Sequence, residues 1–286
     1  MPFSQGIKFE FEGIPVHVIE GGTGFPLLLI HGSGPGASTY ANWRLILEPL
    51  TRRYHIFGMD LIGFGASGRR AAPPYFDVDF WLRQCRAMID RMPGERIGVI
   101  GHSLSAALAL KLAASEPRIA KVLTTGSMGA PFEINEGTIR TWSFPNDRDE
   151  LVALAETLIY DHKHITEAYI ENRIATLWKD QAYRDYFTSM FAGDQRRFVT
   201  EALVSDDELR RIKIPVSMLH GRNDIAFPAE VTMQIAASLP QADIALLARC
   251  SHSIALEFPE KVLSACHMLF GEEPASAPMP DAALES

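Results

Sequence analysis

Residues 96–105 restrict the possible folds of this chain more than any other stretch of its sequence. They begin with an apolar run of Ile and Val, which predicts a buried strand, and they end in Gly-His-Ser-Leu-Ser. Residues 106–114 follow at once and predict a helix, because Ala, Leu and Lys are strong helix formers. A serine at a sharp change from strand to helix predicts the strained turn called a nucleophile elbow, which exposes the Ser103 hydroxyl. The open alternative is that Ser103 only caps an ordinary helix.

The residues around Ser103 suit such a turn. Strand and helix nearly touch there, so small side chains are needed two positions on either side of the serine. Gly101 meets that need, and Ser105 keeps a small side chain where Gly is usual. The first N–H groups of the helix would point at whatever bonds to the serine. We therefore expect the Leu104 N–H to be one donor to an oxyanion.

Apolar strand patterns alternate with helical patterns before residue 136 and again after residue 206. The predicted strands are residues 7–11 and 16–20, as an opening antiparallel pair, and then residues 27–30, 54–59, 97–100, 119–125, 214–220 and 242–247. Such alternation predicts a parallel sheet with helices on both faces. Ligands of such sheets bind beyond the carboxyl ends of the strands. The Gly-rich loops of residues 31–37 and 60–67 would lie at those ends.

The alternation stops between residues 136 and 206, where polar helical patterns replace the strands. Residues 150–160, 166–178 and 181–198 each predict a helix, so we interpret the segment as a lid over the carboxyl edge of the sheet. The end of the chain is rich in Pro and Ala, which predicts fraying. The predicted segments are residues 1–135 (first part of the core), 136–206 (helical lid), 207–271 (second part of the core) and 272–286 (flexible tail).

The composition narrows the possible functions. The net charge of −8 at pH 7 argues against nucleic acid as a partner, and no apolar run is long enough for a membrane span. No secretory signal pattern is visible at the start. Cys85, Cys250 and Cys266 are too few and too scattered for a disulfide framework or a cysteine-rich zinc site. We therefore expect a cytoplasmic protein whose partner is a small molecule.

A serine hydroxyl is a weak nucleophile near neutral pH, so it needs a base, which in turn needs an acid to orient it. After an elbow of this kind, the acid and then the histidine follow along the chain. Asp224 comes directly after the strand at residues 214–220, and His252 comes directly after the last strand. Ser103, Asp224 and His252 are therefore the predicted catalytic residues. The alternatives are that Asp224 caps a turn and that His252 serves only its loop.

The second oxyanion donor is predicted in the first Gly-rich loop. This loop, His-Gly-Ser-Gly-Pro-Gly-Ala at residues 31–37, contains too much Gly and Pro for regular structure. Gly34 and Gly36 would let the backbone approach a substrate closely. We expect the backbone N–H of Ser33 or Gly34 to complete the oxyanion hole with that of Leu104.

Together these motifs resemble those of the α/β-hydrolases and, more narrowly, of the meta-cleavage-product hydrolases. That family splits a carbon–carbon bond in 2-hydroxy-6-oxo-dienoates formed by aromatic ring opening. The matching features are the loop at residues 31–37, Asn42 with Trp43, the Asp-x-x-Gly-x-Gly-x-Ser of residues 60–67, the elbow, residues 221–224 and His252. The resemblance implies an α/β fold with a mostly parallel eight-stranded sheet, flanking helices and a helical lid insertion.

The resemblance also implies substrate contacts. In the family a lid arginine pairs with the substrate carboxylate, and Arg173 falls at the matching place. Its planar guanidinium suits a carboxylate because two parallel hydrogen bonds can form; the alternative is a solvated helix arginine. Asn42 matches a polar residue near the same end of the substrate. His102, Ser253 and Ser33 stand where the family commonly has Asn, Trp and Gly, so they would alter the pocket walls.

The implied reaction needs no metal and no organic cofactor. His252 would help a dienol become a keto tautomer, Ser103 or water would attack the C6 ketone, and the C5–C6 bond would break. Three rivals stay open: an ester or lactone hydrolase with the same triad, a cofactor-free oxygenase that hardly needs the serine, and an inactive hydrolase used as a receptor. The sequence does not indicate which substituent the substrate carries at C6. The expected assembly of the protein is a homo-oligomer.

Overall fold

A central sheet organises the computed structural model, which describes residues 9–271. The strands along the chain are β1 (Phe9–Phe11), β2 (Ile14–Val16), β3 (Val18–Gly21), β4 (Phe25–Ile30), β5 (Tyr54–Met59), β6 (Ile97–His102), β7 (Ile119–Thr125), β8 (Val216–Gly221) and β9 (Ala242–Leu247). The sheet has the order β3-β5-β4-β6-β7-β8-β9. β3 runs antiparallel to β5, and all other neighbours are parallel. The predicted α/β architecture with a mostly parallel sheet is therefore confirmed.

Helices connect the strands and cover both faces of the sheet. They are α1 (Thr39–Thr51), α2 (Val78–Ile89), α3 (Leu104–Ala113), α4 (Glu136–Thr141), α5 (Arg148–Leu158), α6 (Glu167–Leu177), α7 (Gln181–Met190), α8 (Arg196–Glu201), α9 (Asp206–Arg211), α10 (Ala229–Ala237), α11 (Ile254–Glu257) and α12 (Pro259–Phe270), with a 3-10 turn at His162–His164. One apolar cluster includes side chains of α2 and α3, and the other includes those of α1 and α12. Because the sheet is buried on both faces, its inner strands are continuous apolar runs.

The strand count differs from the expected eight. Within residues 9–271 the central sheet has seven strands, and β1 pairs with β2 in a separate antiparallel hairpin. Pro15 has no N–H to donate, and the N–H of His17 donates to Ser67 Oγ at 2.9 Å, so strand pairing is interrupted after β2. The strand predicted at residues 16–20 is thus divided between the end of β2 and β3. Residues 7–8 of the first predicted strand lie outside the described range.

The chain between β7 and β8 forms helices α4 to α9 and no strand. The prediction of a single helix over residues 181–198 is wrong, because α7 and the start of α8 occupy this stretch. Gly193 has a φ of +87°, a left-handed conformation that ends helices. Asp194 Oδ1 then accepts the N–H of Arg196 at 3.0 Å, where α8 begins. We call helices α4 to α9 with their connections the lid; the predicted boundaries at residues 136 and 206 stay a prediction.

Three further sequence expectations concern membranes, cysteines and the tail. No helix within the described range is long and apolar enough to cross a membrane. Cys85, Cys250 and Cys266 are buried and free, and burial raises the pKa of the Cys85 thiol to about 12. The tail predicted at residues 272–286 lies outside the described residues.

Candidate active site

The chain turns from β6 into α3 at Ser103, whose φ is +58° and ψ −122°. This left-handed φ is strained for a residue that carries a side chain, and the turn is held because the Ser103 N–H donates to Thr125 O at 2.9 Å. A Cβ at Gly101 would lie only 2.2 Å from the Ser105 carbonyl oxygen, so glycine is required there. The Ser105 hydroxyl has room and donates to His31 O at 2.5 Å.

The carboxylate of Asp224 is buried in the loop that follows β8. Its Oδ2 lies 2.6 Å from His252 Nδ1, and its Oδ1 accepts the N–H groups of Ala226 and Phe227 at 3.1 and 2.9 Å. Burial alone would raise the pKa of Asp224, but His252 and His220 facing it lower that pKa below the ordinary value. The carboxyl group is therefore an anion that can orient the His252 ring.

His220 supports this carboxylate from behind. Its Nε2 lies 3.0 Å from Phe227 O and 3.4 Å from Asp224 Oδ2, and its Nδ1 lies 2.7 Å from Thr232 Oγ1. Both ring nitrogens are thus engaged by buried groups. His220 is therefore a structural neighbour of Asp224, and of the two histidines beside this carboxylate His252 is the one that lines the cavity.

Ser103 and His252 line the same cavity, and each is 3% exposed. The Ser103 hydroxyl caps no N–H of α3, which removes the interpretation of Ser103 as an ordinary helix cap. Within the described residues it forms no hydrogen bond, so the contact between the Ser103 hydroxyl and the His252 ring is open in this conformation. Such contacts are often long in enzymes without ligand and shorten when substrate binds. The arrangement therefore keeps both groups available to a molecule in the cavity.

Three backbone N–H groups have no acceptor among residues 9–271, namely those of Ser33, Gly34 and Leu104. Ser33 and Gly34 line the cavity. Leu104 is the first residue of α3, and the first N–H groups of a helix have no partner within it. Donors so placed can stabilise an oxyanion formed at Ser103.

The lid brings Arg173 of α6 to the cavity. Its guanidinium donates to Pro35 O at 2.5 Å, and no carboxylate of the described chain is its partner. Tyr183 of α7 holds the same loop, because its hydroxyl oxygen accepts the Gly36 N–H at 2.7 Å. Burial raises the pKa of Tyr183 to about 12, so its hydroxyl stays protonated. The position of the arginine therefore depends on the contact between the lid and the Gly-rich loop.

The lining of the cavity is positively charged. Arg44 and Arg173 both line it, and none of the lining residues in the described chain is Asp or Glu. Asn42 also lines the cavity, and its Oδ1 accepts the Gly32 N–H at 3.2 Å, which leaves its NH2 group for a ligand. No group of three or more His, Cys, Asp or Glu residues within 9–271 could hold a metal ion. The cavity thus favours an anionic organic ligand, although the whole chain carries −8.

His102 and Ser253, the other predicted substrate contacts, also line the cavity. His102 Nδ1 lies 3.1 Å from Thr125 O, which can only accept, so Nδ1 carries the proton of the neutral ring and Nε2 can accept. Burial, and then His252 with its ring centroid 4.6 Å away, lower the pKa of His102 well below its ordinary value. The Ser253 N–H donates to Leu158 O at 2.8 Å, so Ser253 joins its loop to the lid.

The sequence patterns missed Glu257, a buried carboxylate that ties the His252 loop to the lid. Its Oε1 accepts the N–H of Ser251 at 2.8 Å, and its Oε2 accepts those of Tyr160 and Asp161 at 2.8 and 3.0 Å. The lid partners lie 97 and 96 residues away, so no local pattern could mark this role. Arg44 of α1, which lines the cavity, was also missed, because no local pattern shows that its side chain faces a cavity.

Comparison with known proteins gives consistent matches. The sequence profile of the Alpha/beta hydrolase family matches residues 27–265. The chain is 27% identical over 273 residues to 2-hydroxymuconate semialdehyde hydrolase of Pseudomonas sp. (strain CF600), covering 95% of this chain and 96% of that protein. It is 27% identical over 246 residues to 2-hydroxy-6-oxo-2,4-heptadienoate hydrolase of Pseudomonas putida (strain F1), covering 86% and 88%. A solved meta-cleavage product hydrolase from Pseudomonas fluorescens IP01 superposes with a TM-score of 0.88 at 25% identity, over 93% and 98% of the two chains.

Replacing Glu257 by Gln should loosen the His252 loop from the lid. The amide removes the charge and turns an NH2 group toward backbone donors, so we expect the free energy of unfolding to fall by about 2–4 kcal/mol. Urea denaturation measures the change. Glu260→Gln, at an exposed carboxylate of α12, is the matched control and should unfold like the wild type. Equal stability of the two variants would contradict the role assigned to Glu257.

The lowered pKa of Asp224 predicts a dependence of stability on acid. A carboxyl whose folded pKa lies below its unfolded value of about 3.9 adds stability above that pH and loses it as the pH falls toward the folded pKa. Below about pH 4, the wild type should therefore lose unfolding free energy more steeply than Asp224→Asn. Urea denaturation of both proteins from about pH 6 to pH 3 gives the two slopes. Parallel slopes would show that Asp224 is not held as an anion.

Proposed function

The chain belongs to the alpha/beta hydrolase family, and from that membership we propose that it cleaves a carbon–carbon bond in a 2-hydroxy-6-oxo-hexa-2,4-dienoate-type ring-fission product of aromatic degradation. One observation carries the proposal. A serine, a histidine bonded to a buried carboxylate, and an arginine without a carboxylate partner in the described chain meet at one cavity. The named activities of the similar Pseudomonas hydrolases support the same reaction.

Arg173 binds the substrate carboxylate in this proposal. One of its nitrogens is engaged by Pro35 O, and the rest of its planar fork is left for two parallel hydrogen bonds to an anion. Asn42 adds the donors of its NH2 group from α1, because its oxygen is already engaged by Gly32. The carboxylate end of the substrate is thereby fixed, and its C6 carbonyl extends toward Ser103.

His252 is the base. Its Nδ1–H is held by Asp224 at 2.6 Å, which leaves Nε2 to accept a proton. It helps the proton of the 2-hydroxyl reach C5, which converts the dienol into a keto form with carbonyl groups at C2 and C6. It then activates the Ser103 hydroxyl, or a water positioned by Ser103, for attack on C6.

The oxyanion that forms at C6 is stabilised by the N–H of Leu104 and that of Ser33 or Gly34, each worth roughly 10²–10³ in rate. The C5–C6 bond then breaks, and its electron pair passes into the C2 carbonyl, whose oxygen takes up a proton. The products are a 2-hydroxy-dienoate and a carboxylic acid. Where serine is the attacking group, water cleaves the acyl-serine. Water is the only co-reactant that the atoms and electrons require.

The proposal also covers the cellular compartment of the protein and its oligomeric state. Three buried thiols without a disulfide support a reducing compartment such as the cytoplasm. Burial raises the pKa of the Cys250 and Cys266 thiols, which keeps them unreactive. The homo-oligomer expected from the sequence stays a prediction, and size-exclusion chromatography with light scattering would measure it.

The reaction is tested by mixing the protein with yellow 2-hydroxy-6-oxo-dienoates and following the loss of colour. We expect bleaching by the wild type and a loss of about 10³-fold or more in kcat for Ser103→Ala and for His252→Ala, because both groups act in the same step. Ser143→Ala, at an exposed lid serine, is the control and should behave like the wild type.

The other outcomes of this test select the rival functions. Turnover retained by Ser103→Ala with consumption of oxygen would favour a cofactor-free oxygenase. Absence of bleaching by the wild type, together with cleavage of simple esters, would favour an ester or lactone hydrolase. No reaction of Ser103 with a phosphonofluoridate probe would favour a receptor.

Arg173→Ala separates carbon–carbon cleavage from ester hydrolysis. Removing the carboxylate contact should lower kcat/KM for the dienoate by about 10²-fold, whereas turnover of neutral p-nitrophenyl acetate should hardly change. Arg196→Ala, at an exposed lid arginine of α8, is the matched control. Equal losses on both substrates would mean that Arg173 only shapes the lid, and no loss on either would favour the ester or lactone hydrolase.

A further inference from the structure

His102, the residue before the nucleophile, has one ring nitrogen engaged and one available. Its Nδ1–H donates to Thr125, whose carbonyl oxygen lies 3.1 Å from Nδ1 and whose Oγ1 lies 3.0 Å from it. The same carbonyl oxygen accepts the Ser103 N–H at 2.9 Å, so the ring and the elbow are fixed to one point at the end of β7. Within residues 9–271 the His102 Nε2 has no hydrogen-bond partner, which leaves it as an acceptor.

The His102 ring lies between the Gly-rich loop and His252. A Cβ added at Gly32 would lie 3.0 Å from His102 Cδ2, 3.6 Å from its Nε2 and 3.1 Å from Ser103 Cβ. A Cβ added at Gly126 would lie 3.0 Å from His252 Cε1 and 3.4 Å from His102 Cε1. Nε2 stands between Cδ2 and Cε1 in the ring, so the edge that carries it extends from the Gly32 side to the side that faces His252.

Two imidazole nitrogens that can only accept hydrogen bonds therefore belong to neighbouring rings. The ring centroids of His102 and His252 are 4.6 Å apart, and both residues line the cavity with Ser103. Burial and then His252 lower the pKa of His102 well below its ordinary value, so its Nε2 keeps a free electron pair at neutral pH. In His252 the Nδ1 is engaged by Asp224 at 2.6 Å, which leaves Nε2 as the second acceptor.

A water molecule suits two such acceptors, because it carries two O–H donors on one oxygen atom. A ketone or an ester has no donor to offer, and an enol or an alcohol has one. A water held by a single nitrogen can rotate about that one hydrogen bond, whereas a second acceptor fixes where its lone pairs point. Among the reactants of the proposed reaction, water is therefore the one that both rings can bind together.

We propose that His102 Nε2 and His252 Nε2 hold the hydrolytic water between them, so that His102 is a water-positioning residue for hydrolysis of the acyl-serine. The inference rests on the proposed function of the same site. The water oxygen attacks the acyl carbon while one of its protons passes to His252 Nε2. The bond from that carbon to Ser103 Oγ then breaks, and His252 returns the proton to Oγ. The other water proton, held by His102, leaves on the carboxylic acid.

Methanol provides the test, because it has a single O–H and needs only His252. The acetyl-serine formed from p-nitrophenyl acetate is divided between water and methanol at a fixed methanol concentration. In His102→Leu the ratio of methyl acetate to acetate should rise about tenfold or more, because only the attack by water loses an acceptor. Acylation, measured as the first release of p-nitrophenol with protein in excess, should stay within about threefold of the wild type.

Three further variants of the chain make the test specific. His102→Phe keeps an aromatic ring beside Trp43, whose centroid lies 6.0 Å from that of His102, and should raise the ratio as Leu does. His102→Gln restores an acceptor and should return the ratio toward that of the wild type. His267→Leu, at a half-buried histidine of α12 outside the cavity, is the matched control and should leave the ratio unchanged.

The outcomes separate this inference from the proposed function. An unchanged ratio in folded His102→Leu and His102→Phe would overturn the inference, and so would equal losses of hydrolysis and methanolysis, which indicate a purely structural role. If dienoates are cleaved in either case, the proposed function stands. A raised ratio together with inert dienoates would overturn the proposed function and uphold the water position for an ester hydrolase.

Discussion

The buried pair of Asp224 and His252 is the interaction on which the rest of the site depends. A carboxylate removed from water is destabilised unless protein hydrogen bonds replace those of the solvent. Here the N–H groups of Ala226 and Phe227 and two histidine rings face its oxygens. These partners come from the end of β8 and from the loops after β8 and β9, two strands that neighbour each other in the sheet. The pairing of β8 with β9 therefore brings the groups around Asp224 together.

The lid is attached to the core on both sides of the cavity, and this attachment positions the groups on each side of a substrate. On one side, the Ser251 hydroxyl donates to Thr157 O at 3.1 Å and Glu257 accepts two N–H groups of the lid. On the other side, Arg173 and Tyr183 hold the Gly-rich loop. A shift of the lid would therefore move the arginine and disturb the His252 loop together.

Local sequence patterns predicted those parts of the structure that depend on contacts between residues close together in the sequence. Gly101 and Ser103 belong to one short stretch, and the strained turn between them follows from sterics within that stretch. The strand count and the break in the lid were not predictable in this way. The first depends on the N–H of His17 finding the distant Ser67, and the second on the backbone conformation of Gly193, which its neighbours do not specify.

By itself the sequence determined the α/β fold, the elbow and the strand ends that carry Asp224 and His252, because apolar periodicity and parallel strands place those loops at one edge. Only the tertiary structure decided which distant segments meet around the site. Glu257 meets lid residues almost a hundred positions away, and the Phe227 ring, which lies against the imidazole of His252, packs on Trp142 from a separate segment. Contacts between distant segments depend on how the whole chain packs, and no local pattern contains that information.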